Sequence, residues 1–572
     1  MRIFVTDAQE LAGLGAIRSL GRAGHEVVAG FPEGLARPAS TYSRYCAGHR
    51  SYPDPWHAQA DFRTWLIAQG AAYDLLLPIS EAALVATSRC GSDLPESVKA
   101  ILPPSHSLEF ILSKRRATAK AIEIGLHCPS TAFSHAEIER LRPPYIVRTD
   151  NRLMANGSYQ KGRTRYVEEP AELADLLVEL DGNGEQWIVQ ESVSGKGAGA
   201  FLLRWQDQTP LSFAHERIHE VPFYGGWSSL RRSVRSPQMI GDASKLLSAI
   251  GFEGVAMVEF RSDESGARHF IEINGRLWGS LALALHAGVD FPKKLIECHA
   301  GIRPGADPAN YPVGLRCRNV YPGELNYLWS IFKAGGPVRG VRPPGKARAL
   351  LDFVGLFFSP NVRYDYFWPS DPIPGILQTV HGFERVLNSL WQKLSRKLHR
   401  TRLVREFNRK HARGGPDLRQ VLFLCYGNIC RSPFAEAYWN SRIRNGSPAR
   451  SAGFHVFGNR RTPTRFRTLA HRLGGDLGNH RSKTVDAMTI EWATAIFVMD
   501  GENIEDLLSA FPDARSKTFL LGPFSGSPEI RDPFTMPEPE AEGPLRQIAS
   551  SIDQLARSKA QAAPARRPDA LS

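Results

Sequence analysis

Cys425 and Arg431 stand six positions apart in the segment VLFLCYGNICRSP, with Asn428 and Cys430 between them and Ser432 just beyond. A thiol and a guanidinium at that spacing suit phosphoryl transfer. The loop joining them can wrap a tetrahedral oxyanion and turn its backbone N–H groups inward at the start of a helix. Those donors, the helix dipole and the guanidinium all favour negative charge at one point. Together they are expected to draw the thiol from about 8.5 toward the range of roughly 3.5–7.5. The thiolate so formed attacks phosphorus, and the planar fork of Arg431 can grip two equatorial oxygens, as a lysine could not. An acid must protonate the leaving oxygen, and Asp532 in EIRDPF is the candidate. A second constellation carries Glu259 in GVAMVEF, with Glu272 and Asn274 in HFIEINGR. Residues two apart on a strand share a face, so Glu272 and Asn274 point together, with Arg276 next in line. If Glu259 faces them, three oxygen ligands converge, which suits Mg²⁺ bridging nucleotide phosphates. Two acids and an asparagine on a solvated strand face are the plainer alternative.

The elements that must position these residues can be read coarsely. VLFLC is an apolar strand, and SPFAEAYW begins the helix after the loop. Near the start, MRIFVT, HEVVAGF and YDLLLPIS read as strands alternating with the helical stretches GLGAIRSLGRAG and FRTWLIAQGA. That alternation predicts a parallel α/β sheet. The glycines of LAGLGAIRSLG do not form GxGxxG, so a sheet that packs against its neighbour is favoured over a dinucleotide site. A helix, SKRRATAKAIEIG, precedes the β-rich segments PYIVRTD, RTRYVEE, QWIVQESV, AGAFLLRW, GVAMVEFRS and ARHFIEINGR. From Phe383 to Phe407, apolar residues recur at helical intervals and alternate with basic ones, which predicts a basic amphipathic helix. It either packs on its own domain or contacts an anionic lipid or other acidic surface.

The last part of the chain resembles the low-molecular-weight protein tyrosine phosphatase family. CYGNICRSP matches its phosphate loop, SAGF at 451–454 its SAG segment, FVMD at 497–500 its methionine–aspartate strand, and DPF its late Asp-Pro. The resemblance implies Cys425 as nucleophile, Arg431 as phosphate and transition-state clamp, and Asp532 as general acid and then base. It implies that Asn428 holds the loop's shape, that Ser432 hydrogen-bonds the thiolate, and that His480 braces the asparagine. Tyr426, Gly427 and Ile429 complete the loop. Cys430 resembles the family's second cysteine, which can trap an oxidised nucleophile as a disulfide. Many members carry tyrosine where Phe534 stands, and Tyr426 is larger than the aliphatic residue often found after the nucleophile. It either lines the cleft, favouring aromatic phosphoesters, or serves packing. Arsenate reductases share this fold but need a further downstream cysteine, and none follows Cys430.

Residues 1–305 resemble the ATP-grasp superfamily, particularly its carbamoyl-phosphate-synthase-like, carboxylate–amine ligase members. The features are SK at 113–114, YIVRTD, the loop NGSYQKG, IVQESVSGKG, and VEF followed by IEINGRLWGS. The resemblance implies ATP and Mg²⁺ as cofactors, with Lys114 and Arg148 on the phosphates and Arg276 able to meet one. It implies Gln190, Glu191 and Val193 in the hinge beside adenine, and Glu259, Glu272 and Asn274 as Mg²⁺ ligands. Arg217 with Gly225 and Gly226 falls near the phosphate and acceptor end. Such enzymes activate a carboxylate as an acyl phosphate that an amine attacks. A nucleotide-binding regulator without ligation is the alternative.

With 572 residues the chain exceeds one core. The fold class expected is multidomain α/β. A Rossmann-like pre-ATP-grasp domain at 1–105 leads to an ATP-grasp domain at 106–305 and an accessory extension at 306–390. A basic amphipathic linker helix at 391–417 precedes a parallel-sheet phosphatase domain at 418–557 and a disordered tail at 558–572. Composition is ordinary for folded protein, 42% hydrophobic and 23% charged. No apolar run nears the roughly 20 residues that span a bilayer, and the start lacks a secretory pattern, so a cytoplasmic protein is expected. Of the seven cysteines, only Cys425 and Cys430 sit close together, and no second pair follows to complete a zinc site. The net charge of +13 is concentrated between Gln392 and Arg413, where nine Lys/Arg face Glu406 alone. That local excess gives no reason to expect a nucleic-acid partner, while peripheral contact with anionic membrane through the basic helix is an expectation. The phosphatase is expected to act on a phosphotyrosine protein or a small aryl phosphate.

Overall fold

Short runs of Val, Ile, Leu and Phe become strands whose alternate residues enter two different cores, because both faces of these sheets are covered. In the N-terminal sheet, Ile3 and Val5 join one apolar cluster and Phe4 the other. In Val421–Cys425, Val421, Phe423 and Cys425 face Phe434 and Trp439, while Leu422 and Leu424 face Ile496, Val498 and Leu507. The structure, a computed structural model, describes residues 1–263, 265–302, 310–411, 415–443, 447–455 and 458–562. It divides into two units, Met1–Glu384 and Arg385–Ser572.

The first unit opens with an all-parallel five-stranded sheet in the order Gly48–Tyr52, Glu26–Pro32, Arg2–Val5, Leu75–Leu77, Lys99–Ala100. An antiparallel four-stranded sheet follows, holding Tyr145–Thr149 between Thr164–Val167 and Trp187–Glu191. A seven-stranded sheet begins with Arg268–Asn274, Gly254–Ser262, Lys196–Trp205 and Gln208–Val221, all antiparallel. Its far edge, Arg316–Arg318 beside Val362–Tyr364, is parallel. The chain between 306 and 384, to which the sequence assigns no chemistry, supplies this edge and, from its described residues, three buried acids, Glu324, Asp365 and Asp371. Asp371 accepts from Arg18 Nε at 2.8 Å, Ser43 Oγ at 2.8 Å and the Arg44 amide at 3.0 Å. Asp365 accepts from Arg231 Nη1 at 2.9 Å.

Removing one partner of such a pair strands a buried charge. Asp371→Ala is therefore expected to destabilise the first unit by about 3–5 kcal/mol. This would be read as a lower urea midpoint for that unit, with the kinetics of hydrolysis at Cys425 unchanged.

The second unit contains a parallel four-stranded sheet in the order Ala449–Gly453, Val421–Cys425, Ala495–Val498, Thr518–Leu520. The predicted basic helix is longer than its pattern suggests, running from Ile373 to His411. Its stripe divides: Leu403 and Phe407 are buried against this four-stranded sheet, while Phe383, Val386, Leu387, Trp391 and Leu398 are exposed. Some of its charge is used within the unit, since Arg400 pairs with Glu502 and Glu505, and Glu406 with Arg515. The side chains of Leu390 and Leu394, also in the stripe, lie outside the described residues. The helix Glu538–Ala562 extends into the segment expected to be a tail, and 563–572 lie outside the described residues. No helix among the described residues is long and apolar enough to cross a membrane.

Candidate active sites

The inner strand Val421–Cys425 is followed by five residues and then the helix Arg431–Arg442, so the intervening loop closes on the helix N-terminus. Cys425 Sγ lies 3.0 Å from Ser432 Oγ and accepts from the Asn428 amide at 3.2 Å. Asn428 sits at φ +48°, a left-handed conformation that asparagine tolerates better than most residues. Its side chain holds the bend from three sides. Nδ2 donates to Ser432 Oγ at 3.0 Å and to Ser451 Oγ at 2.9 Å, and Oδ1 accepts from the Lys483 amide at 2.8 Å. His480 reaches the backbone of this residue: Nε2 donates to the Asn428 carbonyl at 2.8 Å. Burial keeps that histidine below its usual range. Arg460 ties down the Gly427 carbonyl at 2.7 Å. Ile429 is half-buried against the same core as Cys430.

Arg431 is buried and meets two acids. Nη1 donates to Asp500 Oδ2 at 2.5 Å and to the Ile530 carbonyl at 3.0 Å, and Nη2 to Asp532 Oδ2 at 3.1 Å. Burial opposes its charge, but Cys425, Asp500 and Asp532 outweigh burial and raise its pKa. Asp532, half exposed, accepts from the Phe534 amide at 3.1 Å, so it stands on a tight turn at the rim. Cys430 differs from its neighbour: burial first, then Cys425 and Asp532, push its thiol well above the ordinary range. It stays neutral near pH 7. Asp500 in FVMD and Ser451 in SAGF stood in matched motifs without a role of their own, and the Lys483 amide was not among the expected contacts.

In the first unit, Glu259 and Glu272 lie directly opposite each other on adjacent antiparallel strands. Asn274 Nδ2 is 3.4 Å from an oxygen of each, so the three side chains expected to converge do so. Each acid has an arginine. Arg217 donates to Glu259 Oε2 at 2.6 Å, and Arg148 pairs with Glu272 while donating to the Ile271 carbonyl at 2.7 Å. Burial pushes the Glu259 carboxyl up against the pull of Arg217. At Glu272 burial acts the same way, but Arg148 and Lys114 outweigh it and hold the carboxyl below its usual range. Two hard carboxylates with an amide beside them fit Mg²⁺. Among the described residues, no group of three or more His, Cys, Asp or Glu could hold a metal ion.

A cavity of about 380 Å³ adjoins this cluster. Lys114, Glu272, Asn274 and Arg276 line it on one side, with Lys161 from the NGSYQKG loop. Glu10, Ser80 and Glu81 of the parallel-sheet part line it on the other. Burial lowers the pKa of Lys114. Lys161, Glu10 and Glu81 were not singled out in the sequence, although the lysine lies in a quoted loop. Other expected contacts lie away from this cavity. Gln190 is buried, donating to Thr131 Oγ1 at 3.2 Å, and Glu191 accepts from the Arg142 amide at 2.8 Å. The Val193 carbonyl accepts from Arg261 at 2.9 Å. Gly225 and Gly226 form the turn after Val221, where a Cβ on Gly226 would come within 2.1 Å of the Val221 carbonyl oxygen. Arg217 donates to the Gly226 carbonyl at 2.8 Å, which ties that turn to Glu259.

Comparison with known proteins places names beside both sites. Residues 420–564 match the family model for low molecular weight phosphotyrosine protein phosphatase. Residues 217–320 match that for ATP-grasp in the biosynthetic pathway with Ter operon. A protein-arginine-phosphatase of Geobacillus stearothermophilus is 31% identical over 139 residues, which are 24% of this chain and 93% of the relative. A probable low molecular weight protein-tyrosine-phosphatase, EpsP, of Ralstonia nicotianae is 30% identical over 137 residues, 24% of this chain and 92% of that one. Among solved structures, a biotin carboxylase from Campylobacter jejuni in complex with an ATP analogue aligns at 14% identity. Its TM-score is 0.44, covering 55% of this chain and 74% of that one. The chain thus carries an ATP-grasp domain, and through its C-terminal part it belongs to the low molecular weight phosphotyrosine protein phosphatase family.

Proposed function

We propose that the C-terminal part hydrolyses phosphotyrosine in proteins, or small aryl phosphates, through a cysteinyl-phosphate intermediate. The observation that carries this is Cys425 Sγ, held by the Asn428 amide and Ser432 Oγ, in a loop whose arginine also touches Asp532. In this mechanism the Cys425 thiolate attacks phosphorus as the P–O bond breaks, and protonated Asp532 gives its proton to the leaving oxygen. Water then attacks the S–P bond, Asp532 takes a proton from it, and phosphate leaves with the thiolate restored. Arg431 spans the equatorial oxygens. Ser432 and Asn428 hold the thiolate and the loop, and His480 braces the loop backbone.

Tyr426 and Phe534, exposed beside the nucleophile and the acid, support a preference for flat aromatic esters. Tyr426→Ala is expected to raise KM for an aryl phosphate about five- to tenfold with kcat little changed, the mark of lost uniform binding. The test is steady-state kinetics on phosphotyrosine and phosphoarginine peptides side by side. A kcat/KM higher for phosphoarginine would replace the aryl reading with the activity named for the Geobacillus relative.

For the first unit we propose Mg²⁺-dependent use of ATP to activate a carboxylate for attack by an amine. The convergence of Glu259, Glu272 and Asn274 beside the Lys114–Arg276 cavity supports this. Glu259, Glu272 and Asn274 would hold Mg²⁺, which neutralises phosphate charge when bound. Lys114 and Arg276 are placed to meet phosphate oxygens, and Lys161 adds a third cation. Arg148 and Arg217 hold the two acids in place and are within reach of the same charge. Gln190 to Val193 would flank adenine, with Gly225 and Gly226 toward the acceptor. ADP release from Mg·ATP in a metabolite extract tests the reading. Tight nucleotide binding with no ADP formed would favour a regulatory nucleotide site.

A further inference from the structure

Two short helices in the first unit, Leu325–Lys333 and Lys346–Gly355 with its following turn Leu356–Phe358, carry an apolar surface that their own core does not use. Their inner faces are accounted for: Tyr327, Leu328, Ile331 and Ala349 form a buried cluster with Phe353. The outer faces are equally apolar. Trp329 and Phe332 are exposed on the first helix, and Leu350, Leu351, Val354 and Phe358 on the second, with Leu351 72% and Phe358 82% accessible. Large apolar side chains grouped this way on a surface mark an interaction site rather than ordinary scatter.

Charge decides what the site fits. Between Leu325 and Arg363 the chain has Lys333, Arg339, Arg342, Lys346, Arg348 and Arg363 against Asp352 alone. The cations border the aromatic residues: Lys333 Nζ is 5.4 Å from the Trp329 ring and Lys346 Nζ 6.0 Å from that of Phe332. Asp352 is itself paired with Arg348 at 3.8 Å. A second copy of the chain on this face would bring like charge to like charge. An anionic bilayer instead offers acyl chains to the apolar residues and headgroup charge to the lysines and arginines around them.

We propose that this helical pair is a membrane-docking surface selective for anionic lipid. It is distinct from the basic helix, where Arg400 is already paired with Glu502 and Glu505. The docking is interfacial, with Phe358 and Leu351 entering the headgroup region and the cations remaining at its level.

The full chain should co-sediment with phosphatidylcholine vesicles containing phosphatidylglycerol, far less with phosphatidylcholine alone, and less as salt is raised. Leu351→Glu with Phe358→Glu, and separately Lys333→Glu with Lys346→Glu, should each lower the partition coefficient at least about tenfold. Aryl phosphate hydrolysis by these variants without vesicles should equal that of wild type. Absence of wild-type binding to the anionic vesicles, or binding undiminished in both variants, would overturn the proposal. So would a concentration-dependent dimer that the first variant dissociates while vesicle binding is unchanged, which would assign the face to a second copy.

Discussion

Cys425→Ser is expected to lower kcat for aryl phosphate hydrolysis by about four orders of magnitude or more, with KM changed little. The substitution swaps one atom and leaves its surroundings in place. The Asn428 amide and Ser432 Oγ would still point at the position, and Arg431 would still be buried beside it. A serine hydroxyl there remains protonated, so binding persists while the attacking species is lost. Cys430 cannot take over, because burial and its neighbours keep that thiol neutral. Asp532→Asn should fall between wild type and Cys425→Ser, costing about 10²–10³-fold, since proton transfer to the leaving group contributes that much. The loss should be smaller for a leaving group that needs no proton, such as nitrophenolate. Steady-state kinetics on two leaving groups of different basicity would show that dependence.

Glu272→Gln is the change expected to silence the other site, lowering Mg²⁺-dependent ADP release by about 10²–10³-fold, in the range for removing one preorganised charge. The carboxylate does more than offer oxygens to a cation. It pairs with Arg148 and supports the charge on Lys114, which burial already draws below the ordinary lysine range. Losing it leaves Lys114 beside Arg148 with less compensation, so its pKa should fall further. At alkaline pH the variant should therefore lose nucleotide affinity at a lower pH than wild type, as the lysine deprotonates sooner. Titration calorimetry with Mg·ATP across pH would read that shift. An unchanged urea midpoint for the first unit would separate local damage from unfolding.

Both sites were legible in the sequence where the chemistry is carried by contiguous or strand-paired residues. The seven residues from Cys425 to Arg431 need only a strand before and a helix after, and both are written in the local pattern. The Glu272–Asn274 pair follows from strand periodicity, and the register that sets Glu259 opposite Glu272 completes it. What depends on tertiary approach was not legible. Asp500 meets Arg431 because two parallel strands end at the same edge. Glu10 and Glu81 reach the cavity wall from the starts of two helices of the parallel-sheet part, remote in sequence from Glu272. The long helix starts at Ile373, ahead of the apolar stripe that begins at Phe383, and its first turns hold two glycines at close approaches: a Cβ there would come within 2.7 Å of the Phe367 backbone and 2.5 Å of the Tyr321 ring. Asp371 and Asp365 lie in a stretch with no motif, and only burial against Arg18 and Arg231 reveals their role.

The most direct test of the account is rapid quenching of an Asp532→Ala variant mixed with an aryl phosphate, followed by peptide mass analysis. Without the base that activates water, the intermediate should accumulate. The account predicts one phosphoryl group on Cys425, absent from the double variant that also carries Cys425→Ser. A phosphoryl group on any other residue, or turnover with no adduct on Cys425 in wild type or variant, would contradict it.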